Sequence, residues 1–499
     1  NNIHLSLDYD DKSVRKAVAQ QLRIEEKSIK SCKIFRRSVD ARKKDNIYFL
    51  TTVDTELNIN EDKVCKKCGN AQIARKYEYN QMKFGNAPSP VIVGAGPAGL
   101  FAALILARSG ANPILIERGR DVDRRTADVN RFWTSGQLDT TSNVQFGEGG
   151  AGTFSDGKLN SGTKDIRQRK VLEEFVSHGA PDEILYNAKP HIGTDMLKGT
   201  IKNIRNEIIE LGGRVMFETK LVSMAFSDNK LKSITVETAN GNEIIETDNV
   251  ILAIGHSARD TFEMLYDLKL PIEAKPFSVG ARIEHLREKV DKAQYGRFAG
   301  NKKLGSANYK LSTHLDNGRG VYTFCMCPGG KVVNASSEKN RLCTNGMSEF
   351  ARNAENSNSA LLVGINPDDY ESDHPLAGMY LQRKLESKAF VAGGENYNAP
   401  IQRVDDFLNN RKSTHLGDVK PSIGPNYEFS NLNEILPEYV CTSMAQGIVK
   451  MGRMLHGFDD GDAVLTGVES RSSSPVRIMR KTDTLESVLI LSLIHISEP

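Results

Sequence analysis

Residues 91–119, VIVGAGPAGLFAALILARSGANPILIERG, decide how the rest of the chain is read. Val91, Ile92 and Val93 make a short apolar run suited to a parallel strand buried on both faces. The turn after it carries Gly94, Gly96 and Gly99 in G-x-G-x-x-G spacing. Gly94 permits the tight bend, Gly96 admits a pyrophosphate to the backbone, and Gly99 lets the next helix lie close on the sheet. The free N–H groups and positive dipole end of that helix favour an anion without any lysine. Residues 100–107 continue the helix, which stops near Gly110. Residues 113–117 form a second strand ending on Glu117, 18 residues past Gly99, where a carboxylate is expected to accept both hydroxyl protons of a ribose. Strand, turn, helix, strand and terminal acid occur in the required order and predict a dinucleotide site. The acid argues against a 2′-phosphate and leaves FAD or NAD open.

Downstream, an arginine-rich helix runs to about residue 133. It is followed by NVQFGEGGAGTFSDGKLNSG at residues 143–162, which holds six glycines. Such a loop builds no core but suits close approach of backbone to a flat ligand, and it is assigned to the isoalloxazine and ribityl side of a flavin. Phe146 and Phe154 count against a merely flexible linker. Helical periodicity returns over residues 165–179 and 194–211, stopping at Gly212-Gly213. The period then becomes two, with turns at Asp228-Asn229 and Asn240-Gly241, which predicts a β-meander. Residues 249–255, NVILAIG, form a buried strand ending on Gly255. A meander that returns to a parallel strand fits the FAD half of a two-domain flavoprotein, whereas an NAD dehydrogenase would continue with alternating strands and helices.

Outward from this centre, residues 1–58 read as a small α/β unit whose helix shows Val14, Val18 and Leu22 on one face. FRRSVDARKK at residues 35–44 is basic and open to RNA, a phosphate-bearing ligand or water; without interleaved aromatics, a solvated face is favoured. Residues 59–88 are expected to be a linker, with Cys65 and Cys68 as two surface thiols and no metal site. The first part of the FAD-binding domain covers residues 89–270, and residues 271–424 are read as an inserted α+β substrate domain. There Cys325 and Cys327 lie two apart on one face of a strand, either as redox thiols beside a flavin or as small apolar core residues; a direct C-x-C disulfide would be strained. His256, next to Gly255, is the other catalytic candidate, with structural hydrogen bonding as its alternative. Residues 425–490, with a helix at 436–454, are expected to return to the FAD-binding domain.

Composition adds limits. With 499 residues, a net charge of +3 and seven scattered cysteines, the chain fits a cytoplasmic protein of two to four domains. The slight basic excess implies neither nucleic acid nor anionic membrane by itself, and no apolar run is long enough to span a bilayer.

The motifs VIVGAGPAGLFAALILA, FGEGGAGTFSDGKL, ILAIGHSARDTFEML, YTFCMCPGG, NGMSEFARN and GVESRSSSPVRI together resemble a family of bacterial FAD-dependent dehydrogenases or oxidoreductases. Its FAD domain is similar to that of p-hydroxybenzoate hydroxylase. The resemblance implies FAD at the opening stretch, held by Gly94, Gly96, Pro97, Ala98 and Gly99 together with Glu117 and Arg118. It places Gly149, Gly150, Ala151, Gly152 and Thr153, then Ser155, Asp156, Gly157 and Lys158, beside the flavin. Leu221 would offer backbone to adenine, and Gly255 would meet the cofactor at the end of the closing strand. With no second dinucleotide turn, NAD(P)H would serve only as a transient electron donor. The expected function is an FAD-dependent oxidoreductase acting on a small organic molecule; the alternatives are a flavin-dependent RNA-modifying enzyme and a flavin or thiol redox sensor. The start lacks methionine, and the family's late glycine-rich turn is missing. Residues 491–499, LSLIHISEP, resemble a translated sequencing adapter, are expected to pack poorly, and suggest a truncated chain.

Overall fold

The computed structural model describes residues 1–74, 78–81, 83–84, 88–160, 165–488 and 493–495. Its centre is a five-stranded parallel sheet in the order Leu493–His495, Val250–Leu252, Val91–Val93, Ile114–Ile116, Arg214–Met216. The pleat divides the apolar side chains between two layers. Val91, Val93, Ile114 and Ile116 pack against helix Arg259–Asp267 and the antiparallel meander Lys220–Ser227, Lys230–Thr238 and Gly241–Glu246. Ile92 and Leu115 point the other way, onto helices Pro97–Arg108 and Thr194–Glu210. This three-layer α/β arrangement is the one expected from residues 91–255.

A seven-stranded sheet follows in the order Ser312–His314, Gly320–Cys327, Asn356–Ile365, Phe277–Leu286, Val464–Glu469, Ala399–Arg403, Tyr427–Phe429. Helix Glu438–Gly452 covers it through Met444, Ile448 and Met451. The return to the FAD-binding part expected at residue 425 is therefore corrected. The chain stays with this sheet through Glu469, and only then does Val476–Ile478 pair with Ile272–Ala274, just before the sheet begins. The misplacement has a physical cause. Val464–Glu469 is buried on both faces, so its partner is set by long-range pairing with Phe277–Leu286 and not by any local period.

The N-terminal unit is a three-stranded antiparallel sheet, Ile3–Leu5, Tyr48–Leu57 and Ile29–Asp40, under helix Asp11–Leu22. The expected linker begins with helix Glu61–Lys67, whose buried Val64 faces the unit; residues 75–77, 82 and 85–87 of the linker lie outside the described residues. The basic stretch is not simply solvated. Arg37 lies over the rings of Phe49 and Tyr186, donates to Asn187 Oδ1 at 2.9 Å, and exchanges backbone bonds with Tyr186 and Ala188, so it fastens the unit to the main body. Arg42 pairs with Asp40.

Within the tail expected to pack poorly, the backbone of Leu493–His495 lies in parallel register with Val250–Leu252, while the packing of its side chains lies outside what the structure describes. Residues 491–492 and 496–499 lie outside the described residues. Among the described residues no helix is long and apolar enough to cross a membrane.

Candidate functional site

The turn after Val91–Val93 has the geometry its glycines imply. Gly94 has φ of 103°, and a Cβ there would stand 2.4 Å from the Ala253 carbonyl oxygen; at Gly99 it would stand 1.8 Å from the Gly94 oxygen. Gly96 precedes helix Pro97–Arg108 and carries no side chain to cap it, so the first-turn amides remain available to an anion.

Glu117 does more than face a ribose. It is buried, and its carboxylate accepts the N–H groups of Ala95 at 2.8 Å, Gly119 at 2.9 Å and Gly147 at 2.9 Å. A carboxylate offers about four acceptor directions, so one remains for a ribose hydroxyl and not the two expected. The carboxylate thus fixes the dinucleotide turn, the end of its own strand and the start of the glycine-rich loop.

That loop is held from its other side by Arg125, which sequence reasoning missed. Fully buried on helix Val122–Ser135, its guanidinium donates to the carbonyls of Asn143 at 2.8 Å, Val144 at 2.9 Å, Gly147 at 3.3 Å and Glu148 at 2.6 Å, and lies over Phe154. Burial lowers its pKa to about 10, still charged at neutral pH. Gly149 N–H then donates to the Ala95 carbonyl at 2.8 Å, and a Cβ on Gly150 would lie 3.0 Å from Gly96 Cα. The loop is thereby laid against the N-terminus of the first helix. Residues 161 and 162, at the end of the expected loop, lie outside the described residues.

Across the cleft, the Ser257 hydroxyl donates to Gln145 Oε1 at 2.9 Å, and Gln145 Nε2 donates to the Ala335 carbonyl at 3.2 Å, linking the loop to the region of the seven-stranded sheet. Arg118 lies over Phe146 and pairs with Asp260 at 2.9 Å, where Lys220 joins at 2.8 Å. Burial works against ionisation of Asp260, but Arg118 and Lys220 together hold it down at about 2. Behind the cleft lies a buried ion network, also missed from sequence. Glu386 takes Arg259 and Arg471, each at 2.7 Å, and Arg259 reaches Glu338 at 2.6 Å. Burial, then the nearby Arg471 and Arg259, push His256 down to about 4. It is neutral at pH 7 and no proton donor there.

The space in the cleft, counted together with the solvent at its open side, is ≈ 790 Å³. Gly94, Gly96, Ala98, Glu117 and Arg118 line one side; Gly150 and Ala151 lie above; Leu221, Gly255 and His256 lie opposite. Pro97, Gly99, Gly149, Gly152 and Thr153 stand behind this wall. Ser155, Asp156, Gly157 and Lys158 lead away to the seven-stranded sheet, where Asp156 meets Ser348 and Arg352 and Lys158 joins Cys325 and Cys327. The sequence candidates thus divide between two places.

The parallel sheet, the meander and a cleft whose glycine-lined turn and uncapped helix end fit a pyrophosphate define an α/β flavoprotein that binds FAD. An uncharacterized protein of Clostridium beijerinckii is 47% identical over 499 residues, covering 99% of this chain and 92% of that protein. The chain belongs to the same family as this protein. Residues 89–128 match an FAD binding domain, residues 276–472 the C-terminal domain of FAD-dependent proteins, and residues 1–56 a domain of unknown function. Among solved structures, the glycerol-3-phosphate dehydrogenase of Bacillus halodurans complexed with FAD is 12% identical with a TM-score of 0.29, over 56% of this chain and 48% of that one. The flavin-dependent halogenase CmlS is 16% identical with a TM-score of 0.32, over 63% of this chain and 46% of that one. The chain spans about half the length of either structure, and no activity is carried across at this level of likeness.

Proposed function

We propose that the protein is an FAD-dependent dehydrogenase that transfers a hydride or electron pair to or from a small organic substrate, with NAD(P)H as a transient donor. The observation that carries this reading is the joint fixing of the glycine-rich loop by Glu117 and Arg125 against the dinucleotide turn. A loop held by its Gly147 amide on one carboxylate and by four carbonyls on one guanidinium is preorganised to receive a flat ligand, because little backbone freedom is left to lose on binding.

Bound FAD would supply the two-electron chemistry. The chain's residues bind and orient it: the first-turn amides beyond Gly96 face the pyrophosphate, Glu117 keeps one acceptor for the ribose, and Leu221 and Gly255 bound the opposite side. Gln145 connects this loop to Ala335, beside the sheet read as the substrate domain, which suits delivery of a substrate from that side. Arg37, the strongest feature of the basic stretch, is occupied in fastening the N-terminal unit, which weakens the RNA-modifying alternative.

The test is anaerobic titration of the purified flavoprotein with NADH, NADPH and a panel of alcohols, amines and hydroxy acids while flavin absorbance is followed. Bleaching by an organic donor, with weak saturable reduction by NAD(P)H, supports the dehydrogenase reading. Reoxidation that consumes oxygen only in the presence of an aromatic substrate would replace it with a hydroxylase.

A further inference from the structure

The second place to which the sequence candidates go lies apart from the cleft. Strand Gly320–Cys327 pairs with Asn356–Ile365 regularly as far as Phe324 with Ala360, and then jumps to Cys327 with Asn358. Two residues oppose one, a β-bulge, and Cys325 takes a left-handed φ of 42°, which is uncommon for any residue but glycine. The regular same-face strand expected from sequence is therefore corrected. The bulge leaves Cys325 partly exposed and Cys327 buried, and the Cys327 thiol donates to the Cys325 backbone carbonyl at 3.3 Å.

Charged groups converge on the pair. Arg282, fully buried, donates Nη2 to the Cys325 carbonyl at 3.0 Å and stands 3.7 Å from Cys327 Sγ. Its Nη1 makes no hydrogen bond and faces the equally unbonded Glu469 Oε2 at 3.7 Å. Lys158 arrives from the glycine-rich loop, paired with Asp156 at 2.8 Å; Asp156 in turn holds Arg352. Tyr309 faces Cys327 from the remaining side. The neighbouring Cys327 thiol holds the Cys325 thiol well below the ordinary range; burial opposes this, while Lys158 and Arg282 add to it. Cys327 is pushed well above that range by its Cys325 neighbour and by burial. Of the two thiols, Cys325 is thus the one that ionises more readily. Three cations, Lys158, Arg282 and Arg352, stand around the pair with the carboxyl groups of Asp156 and Glu469.

We propose that Cys325 and Cys327 form a redox dithiol that reduces a carboxylate-bearing low-molecular-weight disulfide, with Cys325 as attacking thiolate and Cys327 as resolving thiol. The Cys325 thiolate attacks one sulfur of the disulfide R–S–S–R. A Cys325–S–S–R bond forms, the R–S–S–R bond breaks, and RS⁻ leaves. Cys327 releases its proton to solvent and attacks Cys325 Sγ, expelling a second RS⁻ and forming the Cys325–Cys327 disulfide, whose C-x-C strain makes it easily reduced again. The small disulfide gains two electrons and the protein dithiol loses two. Ease of ionisation and access control such exchange: Lys158 and Arg282 favour the first, and the bulge leaves Cys325 partly exposed. No step requires bound flavin, so the proposal stands apart from the reading of the cleft.

The probe is 5,5′-dithiobis(2-nitrobenzoate), an anionic aryl disulfide, applied at about pH 6, where ordinary thiols react slowly. The full chain carries Cys32→Ser, Cys65→Ser and Cys68→Ser to silence the other partly exposed thiols. The expected result is rapid release of two equivalents of coloured thiolate, with loss of two hydrogens from the peptide holding both cysteines. Cys327→Ser should release one equivalent and retain the mixed disulfide on Cys325, and Lys158→Met should slow the first phase at least tenfold. A mixed disulfide that persists on Cys325 with Cys327 present, or no reaction at Cys325, overturns the proposal.

Discussion

The Glu117 carboxylate accepts the backbone N–H of Gly147 at 2.9 Å, tying the end of the second parallel strand to a loop 30 residues further along. The same side chain accepts the N–H groups of Ala95 and Gly119, so one residue shapes three segments around the cleft.

Glu117→Ala therefore weakens the fold as well as FAD binding. From sequence alone the substitution would lower affinity and leave the fold intact, but three amides now lose their acceptor in a buried setting. Destabilisation of about 2–5 kcal/mol is expected, with FAD affinity falling by about tenfold or more. Thermal unfolding of the flavin-free protein and fluorescence titration with FAD measure the two effects; an unshifted unfolding midpoint would contradict the clamp.

Arg125→Met removes the donor to four carbonyls while keeping bulk against Phe154. Cleavage by a protease within residues 143–160 should become faster, and FAD affinity should fall by about tenfold. Arg125→Lys should not restore either property, because an ammonium cannot present a planar fork to carbonyls on two sides.

Glu469 sets a pH dependence. Burial raises its carboxyl to about 7 against the pull of Arg282, from an ordinary value of 4.5. The folded state binds this proton more tightly than the unfolded state. Its contribution is thus complete below about pH 4.5 and is lost as pH rises through about 7, by about 3 kcal/mol in all. Denaturant unfolding at pH 5 and pH 8 should show a smaller stability difference for Glu469→Gln than for the unsubstituted protein.

Glu386→Ala leaves Arg259 and Arg471 buried without their shared carboxylate. The expected cost is about 3–5 kcal/mol, read by chemical denaturation. A loss below about 1 kcal/mol would mean that Glu338 suffices for both guanidiniums.

What the sequence made legible was local. The runs at 91–93 and 114–116, the glycine spacing, and the change to period two after residue 213 are each set by a residue's immediate neighbours, and the parallel sheet without its Leu493–His495 edge, together with the meander, follows from them. The limits of the second sheet were not legible, because Val464–Glu469 finds Phe277–Leu286 only in three dimensions. The bulge at Cys325 shows the same limit: C-x-C on a strand implies one face, and only the jump in pairing against Asn358 reveals otherwise. Arg125 offered one faint signal, a long charged residue at a core-facing position of an otherwise amphipathic helix.

The most direct test of FAD in this cleft is the affinity of flavin-free Gly96→Ala for FAD. Gly96 has φ of −72°, open to any residue, and an added Cβ would meet nothing nearer than Gly150 Cα at 3.9 Å. The substitution should therefore leave the unfolding midpoint unchanged while its methyl group takes the space the pyrophosphate needs. FAD affinity at least about tenfold weaker, with an unshifted midpoint, is the result expected. FAD affinity equal to that of the unsubstituted protein would contradict the placement.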